Sequence, residues 1–271
     1  MPIRRVVSKW SKTDALLASP ELRTYVPDTR KFGRPALEEM LHRFGMVYVK
    51  PIRGTFGLGV IRVEYDASAA EPYFFQSGER LYRFSSFDAM YAALQRAKRP
   101  RDYLVQQGIE LLRHNGRRFD FRVMVQQSPA GRWESTGTIG RLAHPRKIVT
   151  NYHSGGTPMP FETLMKEACA QRGISLADYH KWLHLLGVRT VQTLERRFPG
   201  LKEVGIDVAV DRDMKPWILE VNTKPDPYIF LHLPDRSVYR RIRAYAVAYG
   251  RFRKKSKRVH RRRGGRRRTS G

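Results

Sequence analysis

The sequence predicts an α+β fold in which antiparallel strand pairs alternate with separate helices. Strand-like runs come in adjacent pairs, at residues 46–65 and again at 204–225, with only a short turn between the partners. Apolar side chains also recur at helical spacing, in residues 87–98 and 176–198. A helix directly after the glycine-rich turn at 54–59 would have indicated a dinucleotide-binding or P-loop fold, and the Gly-Lys-Ser/Thr ending of a P-loop is absent too.

The composition is that of a folded and strongly basic protein. Of the 271 residues, 41% are hydrophobic and 11% are aromatic, and the formal net charge is +27. Residues 251–271 contain twelve lysines and arginines and no acid, so the preceding residues carry the other +15. This distribution predicts a globular body followed by a basic, disordered tail.

Cysteine usage and hydropathy indicate where such a protein resides. Cys169 is the only cysteine, which excludes an intrachain disulfide and favours a reducing, cytoplasmic setting with a buried structural thiol. No apolar run reaches membrane-spanning length, and the first ten residues lack the apolar region of a signal peptide. We therefore expect no membrane partner.

The N-terminal segment, residues 1–35, is expected to contain a short helix near residues 13–18. Lys9, Trp10 and Lys12 are interpreted as surface charge with an aromatic anchor. Pro35 then suits the first turn of a helix that Gly45 ends.

A glycine-rich loop separates two predicted strands, 46–50 and 60–65. Three glycines within residues 54–59 can lie over phosphates and offer backbone N–H groups, and Lys50 at the end of the first strand would add positive charge. A plain hairpin turn is the alternative. A further hairpin is expected around residues 73–84, followed by a helix at 87–98.

Strict alternation marks a strand at residues 119–126, after a shorter strand at 103–107. Phe119 and the alternate apolar residues after it face inward, so Asp120 and Arg122 share the other face. A surface ion pair is the simplest interpretation of those two residues. Helices are expected at 161–172, 176–198 and 237–252.

The hairpin at residues 204–225 carries a group of oxygen-bearing side chains. A turn centred between Asp213 and Met214 makes Asp207 and Glu220 cross-strand neighbours, with Ile218 and Asn222 on the face of Glu220. Two adjacent carboxylates repel each other unless a cation lies between them, and carboxylate and amide oxygens suit Mg²⁺ or Mn²⁺. A solvated hairpin face with incidental acids is the alternative, and the hairpin alone does not decide between them.

These motifs, in this order, resemble the ATP-grasp superfamily and, within it, the YheC/YheD family of endospore coat-associated proteins. Residues 206–207 with 218–225 are similar to the metal-binding ending of ATP-grasp ligases. Lys50 with residues 54–59 resembles the phosphate lysine and flexible loop, and residues 149–156 resemble a loop of the ribosomal-protein glutamate ligases. The resemblance implies an ATP-grasp fold, with two α+β subdomains whose mainly antiparallel sheets grip ATP between them.

The resemblance also assigns domains and roles. It implies an N-terminal segment at 1–35, one subdomain at 36–105, a second at 106–250 and a tail at 251–271. Its catalytic residues would be Lys50, Arg122 and Asn151, and Mg²⁺ or Mn²⁺ would be held by Asp207, Glu220 and Asn222. Contacts to ATP are implied for Lys50, Gly54, Thr55, Phe56, Gly57, Gly59, Gln106, Gln107, Gly108, Ile109, Asp120, Arg122, Thr150 and Asn151. Many relatives have Glu at the hinge where this chain has Gln106 and Gln107, a change compatible with backbone contacts to adenine.

The implied reaction is ATP-dependent activation of an unknown carboxylate as an acyl phosphate, captured by an amine. Phosphoryl transfer depends on positioning of the reactants and on neutralisation of their charge, and the predicted lysine, arginine and metal-binding residues can supply both. The sequence motifs of protein kinases are absent. The family-like sequence begins almost at Met1, so we expect the usual N-terminal domain to be short or missing.

Two functions of other classes stay open: a nucleotide-binding structural spore protein without turnover, and a basic nucleic-acid-binding protein. The tail can neutralise phosphates without specificity, and it suits acidic spore proteins as well as DNA. Association with the endospore or its coat is the implied location besides the cytoplasm.

Overall fold

Two sheets and six α-helices make up the part of the chain that the structure describes. The structure is a computed structural model that describes residues 2–55, 57–150 and 152–253. The predicted α+β class is confirmed, because both sheets are mainly antiparallel and the helices lie outside them. None of the helices in these described ranges is long and apolar enough to cross a membrane.

The first sheet has six strands, which lie side by side in the order β1-β6-β2-β3-β4-β5. Their bounds are β1 (Thr29–Lys31), β2 (Met46–Pro51), β3 (Ile61–Tyr65), β4 (Tyr73–Ser77), β5 (Arg80–Phe84) and β6 (Tyr103–Gln107). Two helices, α2 (Arg34–Phe44) and α3 (Phe87–Ala97), bury their apolar sides in one core with these strands. Strand β1 belongs to the predicted N-terminal segment but pairs with β6 of this sheet.

Local sequence explains where both helices begin and end. Helix α2 has a proline in its first turn and ends at Gly45, whose φ of 69° is the left-handed conformation that glycine adopts without strain. Helix α3 begins after Ser86, whose hydroxyl accepts a hydrogen bond from the backbone N–H of Ala89 at 3.3 Å.

The second sheet has the order β10-β9-β8-β11-β12, and the short β7 pairs only with β8 among the described strands. Its bounds are β7 (Arg113–His114), β8 (Arg117–Gln127), β9 (Trp133–Leu142), β10 (Thr157–Met159), β11 (Glu203–Val210) and β12 (Pro216–Asn222). Four helices accompany this sheet: α1 (Lys9–Leu17), α4 (Phe161–Gln171), α5 (Leu176–Arg197) and α6 (Arg236–Ala248). Helix α1 begins four residues before the predicted position.

Alternation along β8 separates the two faces of the second sheet. Phe119 and Phe121 point into the large core with α1, α4 and α5, which also contains Cys169 as the expected buried thiol. Met124 points to the opposite face and packs against α6. Asp120 and Arg122 lie on that second face, as predicted, but they are buried rather than at the surface.

A buried carboxylate ties both ends of the folded chain to β11. Glu203 accepts hydrogen bonds from Arg5 at 2.7 Å, Tyr249 at 2.7 Å and Arg251 at 2.6 Å. A fully buried carboxylate is tolerated when such partners satisfy it. Arg251 therefore belongs to the folded part of the chain, although the sequence placed it at the start of the tail. Residues 254–271 of the predicted tail lie outside the described residues.

Candidate functional site

The hairpin of β11 and β12 brings its two acids together. Asp207 is the cross-strand neighbour of Glu220, as expected, and Gly205 is opposite Asn222. Val208, however, is opposite Ile218, so Leu219 is an extra residue in the return strand and forms a β-bulge.

The bulge reverses which side chains of β12 face the core. Ile218 is buried in the large core with Val208, whereas Leu219 packs on the opposite side with Ala209. The prediction that Ile218 shares the face of Glu220 is therefore wrong, because one inserted residue interrupts the strict two-residue alternation on which it rested.

Two arginines and two aspartates form a buried network on this face. Arg122 Nε donates to Asp207 Oδ1 at 2.6 Å, and Arg141 Nη2 lies 3.0 Å from Asp207 Oδ2. Arg141 also donates through two nitrogens to Asp120, at 2.8 and 2.7 Å, and the Thr150 hydroxyl donates to Asp120 at 2.6 Å. The expected surface pair of Asp120 and Arg122 is replaced by this cross-strand arrangement.

Burial and charge act against each other in the network. Burial alone would lower the pKa of Arg141, but Asp120 and Asp207 outweigh it and raise that pKa above its ordinary value. Burial likewise disfavours ionised Asp207, yet Arg122 and Arg141 hold the pKa of its carboxyl below the usual range. Asp207 and Arg141 therefore favour their charged forms, and the ion pairs hold both arginines in position.

Three lysines converge beside Glu220. Lys50 at the end of β2 hydrogen-bonds to the side-chain oxygen of Gln106, and Lys9 Nζ lies 3.1 Å from Glu220 Oε1. Lys12 is only 5% exposed. Burial, only partly offset by Glu220, lowers the pKa of Lys50 and that of Lys12 to about 8 each. The interpretation of Lys9 and Lys12 as surface charge is wrong, because α1 packs its basic side against this site.

The glycine-rich loop reaches the same place from the first sheet. Lys9 Nζ donates to the carbonyl oxygen of Gly54 at 2.7 Å, which joins α1 to the loop. Gly57 has a φ of 72° and Gly59 a φ of 76°, both in the region that favours glycine. Phe56, for which a contact was predicted, lies outside the described residues.

The hinge between the two sheets follows β6. The side chains of Gln106, Gln107 and Ile109 line a narrow cavity of about 80 Å³ together with Lys50, Asp120 and Thr150. Gly108 does not line it, and its backbone N–H instead donates to the carbonyl of Met46 at 2.8 Å. Asn151 lies outside the described residues.

A larger cavity of about 490 Å³ adjoins the narrow one. The two share Gly57, Val60, Arg141 and Glu220 as lining residues. Predicted site residues that line the larger cavity are Gly54, Thr55, Gly57, Arg122, Glu220 and Asn222. Lys9 and Lys224 line it as well, so the tertiary fold gathers most of the described members of the predicted set around one connected cleft.

The oxygen donors in this cleft fit a divalent cation. Glu220 and Asn222 both face the larger cavity, and carboxylate and amide oxygens are the ligands that Mg²⁺ prefers. Within the described residues no three His, Cys, Asp or Glu side chains converge, so a three-donor set depends on the Asn222 amide. Both oxygens of Asp207 already face arginines, so a cation there would share or replace those contacts.

Comparison with known proteins now defines the family. A family model described as YheC/D like ATP-grasp matches residues 4–252. The chain belongs to this family. It is 26% identical over 249 residues to the endospore coat-associated protein YheD of Bacillus subtilis (strain 168), which covers 88% of this chain and 53% of that protein. It is 21% identical over 223 residues to the endospore coat-associated protein YheC of the same organism, with 82% and 61% covered. The chain thus spans little more than half the length of these curated relatives.

The site of this YheC/D-like ATP-grasp chain includes three cations that sequence reasoning missed. Arg141 was not singled out, and Lys9 and Lys12 were interpreted as surface charge. The available signal for Arg141 was its place in the strand returning from Asp120, since the two are direct cross-strand partners. For Lys9 and Lys12 the signal was weaker, because their spacing along α1 does not reveal which sheet the helix contacts.

Proposed function

We propose that this protein binds ATP with Mg²⁺ between its two sheets and transfers the γ-phosphoryl group to a carboxylate, which releases ADP and forms an acyl phosphate. An amine then attacks the acyl carbon and displaces inorganic phosphate. The observation that carries the proposal is a single cleft lined by two arginines, by Glu220 and Asn222, and by residues of the glycine-rich loop. Cations and hard oxygen donors in one cavity are what a metal-bound triphosphate requires.

Each part of the cleft has a task in this proposal. Gln106, Gln107 and Ile109 hold adenine in the narrow cavity, with Lys50 and Lys9 towards the phosphates. The loop at Gly54 and Gly57 closes over the phosphates with backbone N–H groups. Arg122 stabilises negative charge on the transferred phosphoryl group, and Arg141 keeps Asp120 and Asp207 in place.

Asp207, Glu220 and Asn222 would hold Mg²⁺, which neutralises charge on the phosphates when it is bound. The arginines and lysines that line the described part of the cleft suit stabilisation of negative charge. Thr150 and Asn151 remain proposed contacts near the triphosphate.

The names of the relatives suggest the cellular setting. Because YheD and YheC are endospore coat-associated proteins, we infer a protein made in the cytoplasm that works with the endospore or its coat. Acidic spore proteins or DNA remain proposed partners of the basic tail.

Thermal unfolding with and without Mg-ATP tests the nucleotide site. A ligand at a hundred times its Kd stabilises by about 2.7 kcal/mol, which for a chain of this size raises Tm by roughly 5–10 °C. EDTA or Glu220→Gln should remove most of this rise, whereas Glu71→Gln at an exposed position should leave it unchanged. Absence of a shift with any nucleotide would refute ATP binding.

Binding of ATP without turnover is the second candidate, and the ion pairs at Asp207 favour it. Both oxygens of that carboxylate are occupied by arginines, so metal loading there carries a cost. Release of ADP in the presence of pooled amino acids and small carboxylates distinguishes the two. If Mg-ATP raises Tm but no mixture leads to release of ADP, the result supports a protein that binds ATP without turnover over a ligase.

A further inference from the structure

A second cavity, here called the basic cleft, lies apart from the nucleotide site. Its volume is about 770 Å³, and it shares no lining residue with the two cavities described above. The lining residues come from both sheets and from the loop after β9, among them Arg62, Leu81, Arg113, Arg118, Arg146 and Lys147.

Positive charge dominates this cleft. Six of its lining residues are arginine or lysine and one, Glu79, is acidic. Arg146 lies 3.4 Å from Glu79, and Arg62 lies 2.6 Å from Glu64 just outside the lining. Two of the cations thus have carboxylate partners, which leaves an excess of positive charge.

Other cations of the cleft contact neutral groups. Arg117 donates to the carbonyl of Ala143 at 2.8 Å, and Arg113 donates to the carbonyl of Gly116 at 3.1 Å. Burial lowers the pKa of Arg118, and the charges of Arg62 and Arg113 lower it further, against opposing effects of Tyr48 and Glu110. An anion in the cleft would relieve this mutual repulsion.

The cleft spans the gap between the two sheets. Gln76 on β4 donates to the carbonyl of Arg146 at 2.9 Å, and Glu79 in the turn before β5 faces the same arginine. A ligand seated here therefore contacts both halves of the molecule at once.

The apolar side chains of the cleft indicate which class of polyanion fits it. Leu81 is 51% exposed, and with Pro145 it offers an aliphatic surface that a peptide side chain can cover. Leu81 on β5 is the cross-strand neighbour of Gln76, which is in turn the neighbour of Arg62, so these three lining residues form one row on the same face of the first sheet. Among the lining residues no Phe, Tyr or Trp provides the stacking platform that single-stranded nucleic acids use.

We propose that the basic cleft is a docking site for an extended acidic polypeptide segment that contains aliphatic residues. Its carboxylates pair with the arginine forks, and its aliphatic side chains cover Leu81 and Pro145. The site is separate from the proposed ATP function and does not depend on it.

Fluorescence anisotropy with a short labelled peptide of alternating glutamate and leucine tests the proposal on the full chain at physiological salt. Arg113→Glu combined with Lys147→Glu should weaken binding at least about tenfold, a change of about 1.4 kcal/mol. Lys181→Glu combined with Arg189→Glu, the same change in charge on the exposed side of α5, should stay within about twofold. The basic tail is present in every variant, so its contribution to peptide binding is the same in each.

Leu81→Ser provides a second variant that preserves the charge and, at an exposed position, the fold. It should weaken binding of the peptide and leave binding of a DNA duplex of equal formal charge unchanged. Equal losses in both double variants would show that diffuse charge, not the cleft, binds the peptide. If the duplex depended on Arg113 and Lys147 as strongly as the peptide does, the cleft would be a nucleic-acid site and the proposal would be wrong.

Discussion

Replacement of Lys12 by methionine should stabilise the protein, although it removes a charge from the candidate site. Lys12 lies on α1 and shares a small void of about 10 Å³ with Lys9, Lys50 and Glu220. Its amine is buried, and burial lowers its pKa from 10.5 to about 8. Methionine fills a similar volume and needs no solvation.

The magnitude follows from linkage between protonation and folding. The folded state binds the proton of Lys12 more weakly than the unfolded state, so the charged lysine destabilises the fold below pH 8. That cost fades as pH rises from about 8 towards 10.5, because the unfolded chain then loses the proton as well. A difference of about 2.5 in pKa corresponds to roughly 3 kcal/mol at pH 7 and about 1.5 kcal/mol at pH 9.5.

Urea denaturation of wild type and Lys12→Met at both pH values measures the effect. We expect the variant to gain up to about 3 kcal/mol at pH 7 and about half of that at pH 9.5. Lys181→Met, at an exposed lysine of α5, should change the free energy of unfolding by less than about 0.5 kcal/mol at either pH. A destabilised Lys12→Met at pH 7, or a gain that does not shrink with pH, would refute the reasoning.

Two further predictions concern the frame of the site. Glu203→Gln should lower the free energy of unfolding by about 3–5 kcal/mol, because it leaves the charges of Arg5 and Arg251 beside a buried neutral group. The control is Glu167→Gln on the surface of α4, which should not show this loss. Gly108→Ala should cost about 1–3 kcal/mol, since a Cβ there would lie 2.5 Å from a side-chain carbon of Met46 and 2.8 Å from its carbonyl oxygen. Gly33→Ala, where a Cβ meets nothing within 4 Å, should cost less than about 1 kcal/mol, and equal losses at both glycines would contradict the steric argument.

Much of the fold was predictable because its determinants are local. Alternation along residues 119–126, the glycine that ends α2 and the serine that caps α3 each act within a few residues. The pairing of Asp207 with Glu220 was also predictable, since a short turn limits the possible registers of a hairpin. The motif order then indicated the family, which the match over residues 4–252 confirms.

The sequence by itself determined the helices, most of the strands and the acids of the hairpin, but not the short strands β1, β7 and β10. Only the tertiary structure decided which cations meet those acids. Arg141 reaches Asp120 and Asp207 because β9, β8 and β11 are neighbours in one sheet, and Lys9 and Lys12 reach Glu220 because α1 packs beside β12. The bulge at Leu219 likewise exchanges core and site faces without a glycine or proline at that position to mark it. Contacts between residues far apart in sequence depend on packing and on solvation of buried charge, and neither is encoded in the spacing of one segment.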